Sequence, residues 1–140
     1  MKTSIIEQAA LRLITAKSKR FPEGNGAAFN ALESELESLK GRRFYGLVYE
    51  TEGQMEYYAG LVPNDEVEED RFAKLGYPLM EIDAGQYART KLMDWNDKLD
   101  RIGPIFGAMM AEHEIDPTRP QIEYYRSQNE LQLLLPVNPK

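Results

Sequence analysis

Apolar and polar positions alternate loosely between Ala9 and Phe21, where Leu11 and Leu13 are followed at the same period by Thr15 and Lys17. A period of two predicts a strand. The cluster PEGNG (Pro22 to Gly26) then marks a loop. In AAFNALESELESLKG the period changes. Phe29, Leu32, Leu36 and Leu39 recur at spacings of three and four, which makes one apolar helical face, with Gly41 placed as its stop. "RRFYGLVYETEGQMEYYAGLVP" carries two runs rich in aromatic and branched residues around the polar segment Thr51 to Gln54, a hairpin signal. The acidic stretch from Asn64 to Pro78 reads as a connecting loop with at most one helical turn. "LMEIDAGQYARTKLM" predicts another strand, with Gly85 marking a bulge or bend.

From Asp94 the helical period returns. Asp94 is placed to cap a second helix and Asp97 to favour its positive end. Trp95, Leu99, Ile102, Phe106, either Met109 or Met110, and His113 fall on one side, and Gly103 with Pro104 is expected to bend it midway. The closing segment "RPQIEYYRSQNELQLLLP", Arg119 to Pro136, reads as a second hairpin.

The element order is therefore one βαββ unit written twice, in residues 9–63 and 79–137, joined by 64–78 within a single domain spanning 1–140. Neither unit is large enough to bury a core alone. Their pairing about a pseudo-twofold axis predicts an α+β fold, an antiparallel sheet with two helices on one face. The opposite face is expected to curve into a concave surface between the halves, the place for a ligand cleft.

Charge and composition narrow the function. The net charge is −6, the pI about 4.9, and the basic clusters are small, so nucleic acid is not expected as a direct partner; an acidic protein attracts cations instead. No apolar run approaches the ~20 residues that span a bilayer. The N-terminal stretch has no apolar core of a signal peptide, and a cytoplasmic location is expected by default. With no cysteine and His113 as the single histidine, disulfides, thiolate or zinc sites and nucleophile–histidine pairs are not available. "NDEVEED" lacks the ligand alternation and glycine of a calcium loop, and "EGNG" lacks the Lys-Ser/Thr ending of a phosphate loop. No metal or cofactor is expected.

Candidate chemistry gathers in the last hairpin. Glu123 and Tyr125 point to one side of their strand, Ile122 and Tyr124 to the other. An acid and a ring on one face have two readings, a solvated surface or the floor of a pocket for a cation. Tyr45, Tyr49, Tyr57, Tyr58, Tyr87 and Tyr125 all lie in predicted strands. Parity divides them without saying which reach the cleft: Tyr45 and Tyr49 share a face, while Tyr57 and Tyr58 oppose each other. Trp95 is placed to line the cleft or to pack inside.

The stretch "IDAGQYA" (Ile82 to Ala88) resembles the hydrophobic-Pro-Ala-Gly-x-Tyr-Ala signature of GyrI-like effector-binding domains. Trp95, "PQIEYY", the terminal "LLLPV" and the hairpin "FYGLVY…YYAGLVP" follow the same family in order and spacing; Asp83 departs from it, where proline is usual. The resemblance implies a duplicated βαββ fold with a cleft between the halves, taking hydrophobic and often cationic small molecules. The family's pocket carboxylate matches Glu123, and Tyr125, Trp95, Tyr49, Tyr58 and Tyr87 are the aromatic residues expected to join it. Regulators of the family carry a helix-turn-helix region, for which the 140 residues leave no room, so a standalone binding protein is expected. Two alternatives stay open. Some relatives hydrolyse cyclopropane-bearing toxins, which makes Glu123 catalytic here if the chain is such an enzyme. Others act on gyrase through a protein surface.

Overall fold

Two long kinked strands frame the molecule. The computed structural model describes residues 2–139. One kinked strand consists of β1 (Thr3–Gln8) and β2 (Leu11–Lys17), the other of β5 (Leu79–Ile82) and β6 (Gly85–Met93). They run antiparallel with their breaks facing each other: Gln8 lies opposite Gly85 and Leu11 opposite Ile82, in one continuous register. Between them in sequence come α1 (Asn25–Glu33), β3 (Phe44–Thr51), β4 (Gln54–Leu61) and α2 (Glu66–Lys74). After β6 come two short 3-10 turns (Trp95–Asp97 and Leu99–Arg101), α3 (Ile102–Glu112), β7 (Gln121–Tyr125) and β8 (Glu130–Pro136). The eight strands form one antiparallel sheet in the order β1-β6-β8-β7-β3-β4-β2-β5. Each kinked strand thus serves both ends of the sheet, which curls into a half-barrel.

The predicted duplication is present: β2-α1-β3-β4 and β6-α3-β7-β8 are the two βαββ units, joined at the centre by the β3–β7 ladder. Position within the strands relates them. Gly46 is the third residue of β3 and Glu123 the third of β7, and these two equivalent residues face each other across the central ladder. Val48 and Tyr125 are the fifth residues; Val48 pairs with Tyr57 and Tyr125 with Leu131, so Tyr57 corresponds to Leu131.

Several expectations change. The sheet begins before residue 9, because β1 adds an edge strand to the second half. The segment 64–78 holds a helix: Asp65 accepts from the Glu68 amide at 2.8 Å, three acids occupy the first turn, and Arg71 and Lys74 the last. Its one buried side chain, Phe72, left no apolar period to read. α1 ends at Glu33; Leu32 is in the core, Leu36 is half-buried and Leu39 is exposed. Asp94 does not cap a helix but stands in the left-handed region (φ 54°), and Pro104 belongs to the first turn of α3, where a missing N–H costs nothing. The irregularity expected at Gly85 is the bend of the kinked strand, which breaks at 83–84 with its register kept, and not a bulge; a Cβ at Gly85 would lie 2.5 Å from Nη1 of Arg119. The β3–β4 turn is as expected, two residues long with positive φ at both Glu52 and Gly53.

Core packing differs between the two faces of the sheet. On one, α1 and α2 cover Ile14, Ala16, Ala59 and Leu61, while α3 covers Ala88, Leu92 and the β8 leucines 131, 133 and 135. On the other, inside the curl, Leu13, Tyr45, Leu47, Tyr87, Ile122 and Leu134 pack together with no helix among them. The concave face expected to hold the cleft is therefore filled by side chains, and the open space lies on the helix-bearing face. Among the described residues no helix is long and apolar enough to cross a membrane.

Candidate functional site

α1 and α3 each cover one half of the sheet and leave a gap over the central ladder. The gap is a cavity of about 1010 Å³, with Phe29 of α1 and Phe106 of α3 on its walls and Phe44, Val48, Tyr57 and Glu123 in its floor. Alternation along β3, β4 and β7 puts these floor residues on one face.

Glu123 stands at the middle, opposite Gly46, and is 6% exposed. Its Oε1 accepts two hydrogen bonds, from the Tyr57 hydroxyl at 2.6 Å and the Tyr125 hydroxyl at 2.7 Å. Among the described residues nothing donates to its Oε2, which is not sealed from the cavity. The two phenols are held by other rings. Tyr125 packs edge-on against Phe29 (5.3 Å between centroids) and Trp95 (5.1 Å), while Tyr57 lies 6.1 Å from Phe29 and 6.0 Å from Phe21. The Trp95 indole N–H is anchored to the Ser127 carbonyl at 3.0 Å.

Burial pushes the Glu123 carboxyl above its ordinary range, and the two phenolic donors pull it back in part. Burial, with the neighbouring carboxylate, drives both Tyr57 and Tyr125 upward, so each keeps its proton and donates. No cationic side chain pairs with Glu123 among the described residues. Arg42, the cation on the cavity wall, is engaged by Glu68 and the Val62 carbonyl instead. The described residues contain no cluster of acids or histidine suited to a metal ion. A buried carboxyl with one open oxygen in a largely ring-lined space, with Glu33 and the engaged Arg42 elsewhere on the wall, is thus the chemistry on offer.

Of the six residues expected at the site, the structure brings three to the cavity, Glu123, Tyr125 and Trp95. Tyr49, Tyr58 and Tyr87 are not among its lining residues. Tyr87 is a fully buried member of the core within the curl, and Tyr49 and Tyr58 pack against that core, edge to face at 5.8 Å. The reason is parity: each occupies the strand face opposite to Tyr57 and Glu123. Tyr57 is the main residue that sequence reading missed. Its sequence signal was only the opposition to Tyr58; the cross-strand register that selects between the two was not visible.

No family model and no curated protein matches the sequence. Solved structures do. An integron cassette protein from the mobile metagenome of Vibrio cholerae aligns with TM-score 0.67 at 13% identity, over 97% of this chain and 95% of its own. SAV2435 bound to tetraphenylphosphonium aligns with TM-score 0.67 at 15% identity, over 99% and 94%. The C-terminal domain of EcmrR gives TM-score 0.63 at 10% identity, over 99% and 98%. At such identities the likeness is one of fold. The chain has the fold expected from its resemblance to GyrI-like effector-binding domains, two βαββ units with a cavity over their shared axis.

Proposed function

We propose that this protein binds bulky hydrophobic cations in the cavity between α1 and α3, with Glu123 as their counter-charge, and that it senses or sequesters them. The observation carrying this reading is the free Oε2 of a buried carboxylate that has no cationic partner among the described residues. Burying an ionised carboxylate without a partner is costly, so a cation that enters recovers part of that cost. Aromatic walls add attraction, ~0.5–2 kcal/mol for each ring face that meets the charge. The lipophilic cation held by SAV2435, a protein of the same fold, is of this chemical type.

The test is a calorimetric titration of the native protein and of Glu123→Gln with tetraphenylphosphonium and with neutral triphenylphosphine oxide. The cation should bind the native protein at least tenfold more tightly than the variant, about 1.4 kcal/mol, while the neutral compound should not distinguish them. Equal affinity of the cation for both proteins, or no binding to the native one, overturns the reading.

A further inference from the structure

Gly46 lies at the centre of the fold, and nothing in the chemistry described so far requires it to be a glycine. Its backbone is that of an ordinary strand, without the positive φ of Gly41, Gly53 or Gly76. Its need for hydrogen in place of a side chain is steric. A Cβ built there lies 2.1 Å from the hydroxyl oxygen of Tyr57, 2.7 Å from Cζ of the same ring and 2.6 Å from Oε1 of Glu123. The hydrogen bond between Tyr57 and Glu123 therefore occupies the volume that a side chain at 46 would take.

We propose that Gly46 is a positioning residue of the ligand site, whose missing side chain lets Tyr57 of the first half reach Glu123 of the second. Pseudo-symmetry gives the reason for its place. Gly46 and Glu123 are equivalent residues paired across the axis, so their side chains compete for one space. Only one of the two can fill it. With glycine on one side, the carboxylate settles over the axis and both phenols converge on its Oε1. Tyr57 has little freedom to yield, being 1% exposed with Phe21 and Phe29 beside its ring. A methyl at 46 displaces its hydroxyl and leaves Glu123 with Tyr125 alone. This inference rests on the binding role of Glu123 given above.

The test compares Gly46→Ala, Tyr57→Phe and their combination by carbon-13 NMR titration of the Glu123 carboxyl, which needs no ligand. The other charged groups on the cavity wall, Glu33 and Arg42, are common to all the proteins and cancel in the comparison. Losing the Tyr57 donor removes a group that favours the carboxylate, so the titration midpoint should move up in each single variant. In the combination the alanine should add less to the shift than it does alone, because the Tyr57 donor is already gone and only its contacts with the ring and with Oε1 remain. Tetraphenylphosphonium affinity at neutral pH should fall at least tenfold in Gly46→Ala.

Because the alanine protein has to accommodate a severe contact, the same change is made in a Tyr57→Leu background, leucine being the residue at the equivalent position 131. There the Cβ still meets Oε1 of Glu123 but no longer the phenol, so Gly46→Ala should lower the melting temperature and move the titration less than it does in the native background. An unmoved Glu123 titration in folded Gly46→Ala, or an equal effect of the alanine with and without the tyrosine, overturns the proposal. If native protein fails to bind the cation, the functional reading falls, and the carboxyl titration still decides the role of Gly46.

Discussion

Tyr57 and Tyr125 donate to the same oxygen of Glu123, at 2.6 and 2.7 Å, and reach it from different halves of the fold. They are not equivalent positions: Tyr57 corresponds to Leu131, and Tyr125 to Val48. A symmetric frame thus carries an asymmetric site. Strict symmetry would set two carboxylates against each other across the β3–β7 ladder, and like charges at that separation cannot both ionise. Glycine at 46 removes the conflict and leaves one acid with two donors and one open oxygen.

The two faces of the sheet should respond differently to loss of a phenol. Among the described residues the Tyr87 hydroxyl is buried with no well-formed hydrogen bond, only the Arg119 guanidinium nearby, so Tyr87→Phe is expected to change stability by no more than ~1 kcal/mol. Tyr57→Phe deprives a buried carboxylate of a donor and should cost about 1–3 kcal/mol. Thermal melts of the two variants check this, and tetraphenylphosphonium affinity should fall only for the second. Equal losses in both would mean that the two hydroxyls have equivalent surroundings.

Arg119 ties the loop before β7 to the end of the second half. Its side chain is 7% exposed, paired with Asp116 at 3.0 Å, and donates to the Gln86 and Val137 carbonyls at 3.1 and 3.0 Å, with its guanidinium 4.7 Å from the Tyr87 ring centroid. Arg119→Met leaves an acid and two carbonyls without their partner, an expected loss of about 3 kcal/mol. Gly85→Ala should also destabilise, since its methyl meets the guanidinium, and should cost less once Arg119 is gone. Denaturant unfolding of the two single variants and the double variant measures that coupling; strict additivity would contradict the contact.

How far the sequence could be read follows from how local each signal is. Both hairpins were legible because their strands adjoin in sequence; the β3–β4 pair closes through Glu52 and Gly53 alone. That Glu123 and Tyr125 share a face followed from alternation within one strand. The tyrosines of β3, β4 and β6 were another matter. Alternation sorts Tyr57 from Tyr58, but which of them lies under the helices depends on the β3–β7 ladder, a pairing between residues far apart in the chain. The cleft was misplaced for the same reason, since the kinks at 9–10 and 83–84 curl the sheet until its concave side closes on its own side chains. α2 escaped because its signal is charge at its ends and not apolar periodicity.

The Asp65 cap should matter locally. Its carboxylate takes the Glu68 amide, one of the donors that the first turn of a helix leaves free. Asp65→Ala is expected to cost about 1 kcal/mol. Because α2 buries only Phe72, the loss should appear chiefly as fraying, with faster hydrogen exchange at the amides of the first turn than in the strands. Uniform acceleration across the sheet would show that α2 is not a separable unit.

Glu123 should weaken the folded chain at neutral pH. Burial holds its native pKa above the unfolded value, so in the interval between the two the native state binds the proton more tightly. Stability then falls as pH rises through that interval and stays lowered above it. Glu68 and Asp116, whose carboxyls are held below their usual range, act in the opposite sense but equally in any variant of Glu123. Glu123→Gln has no charge to bury. Near pH 7 it should melt above the native protein, by ~1 kcal/mol or about 2–4 °C, and the difference should shrink towards the unfolded pKa of about 4.3. Saturating tetraphenylphosphonium should reverse the order, because a ligand that binds only the folded state raises its melting temperature in proportion to affinity. Calorimetric scans of both proteins at several pH values, with and without the cation, measure each of these differences. A variant that melts below the native protein at neutral pH without ligand would show that Glu123 is held as a structural acid, its charge already satisfied by the two tyrosines.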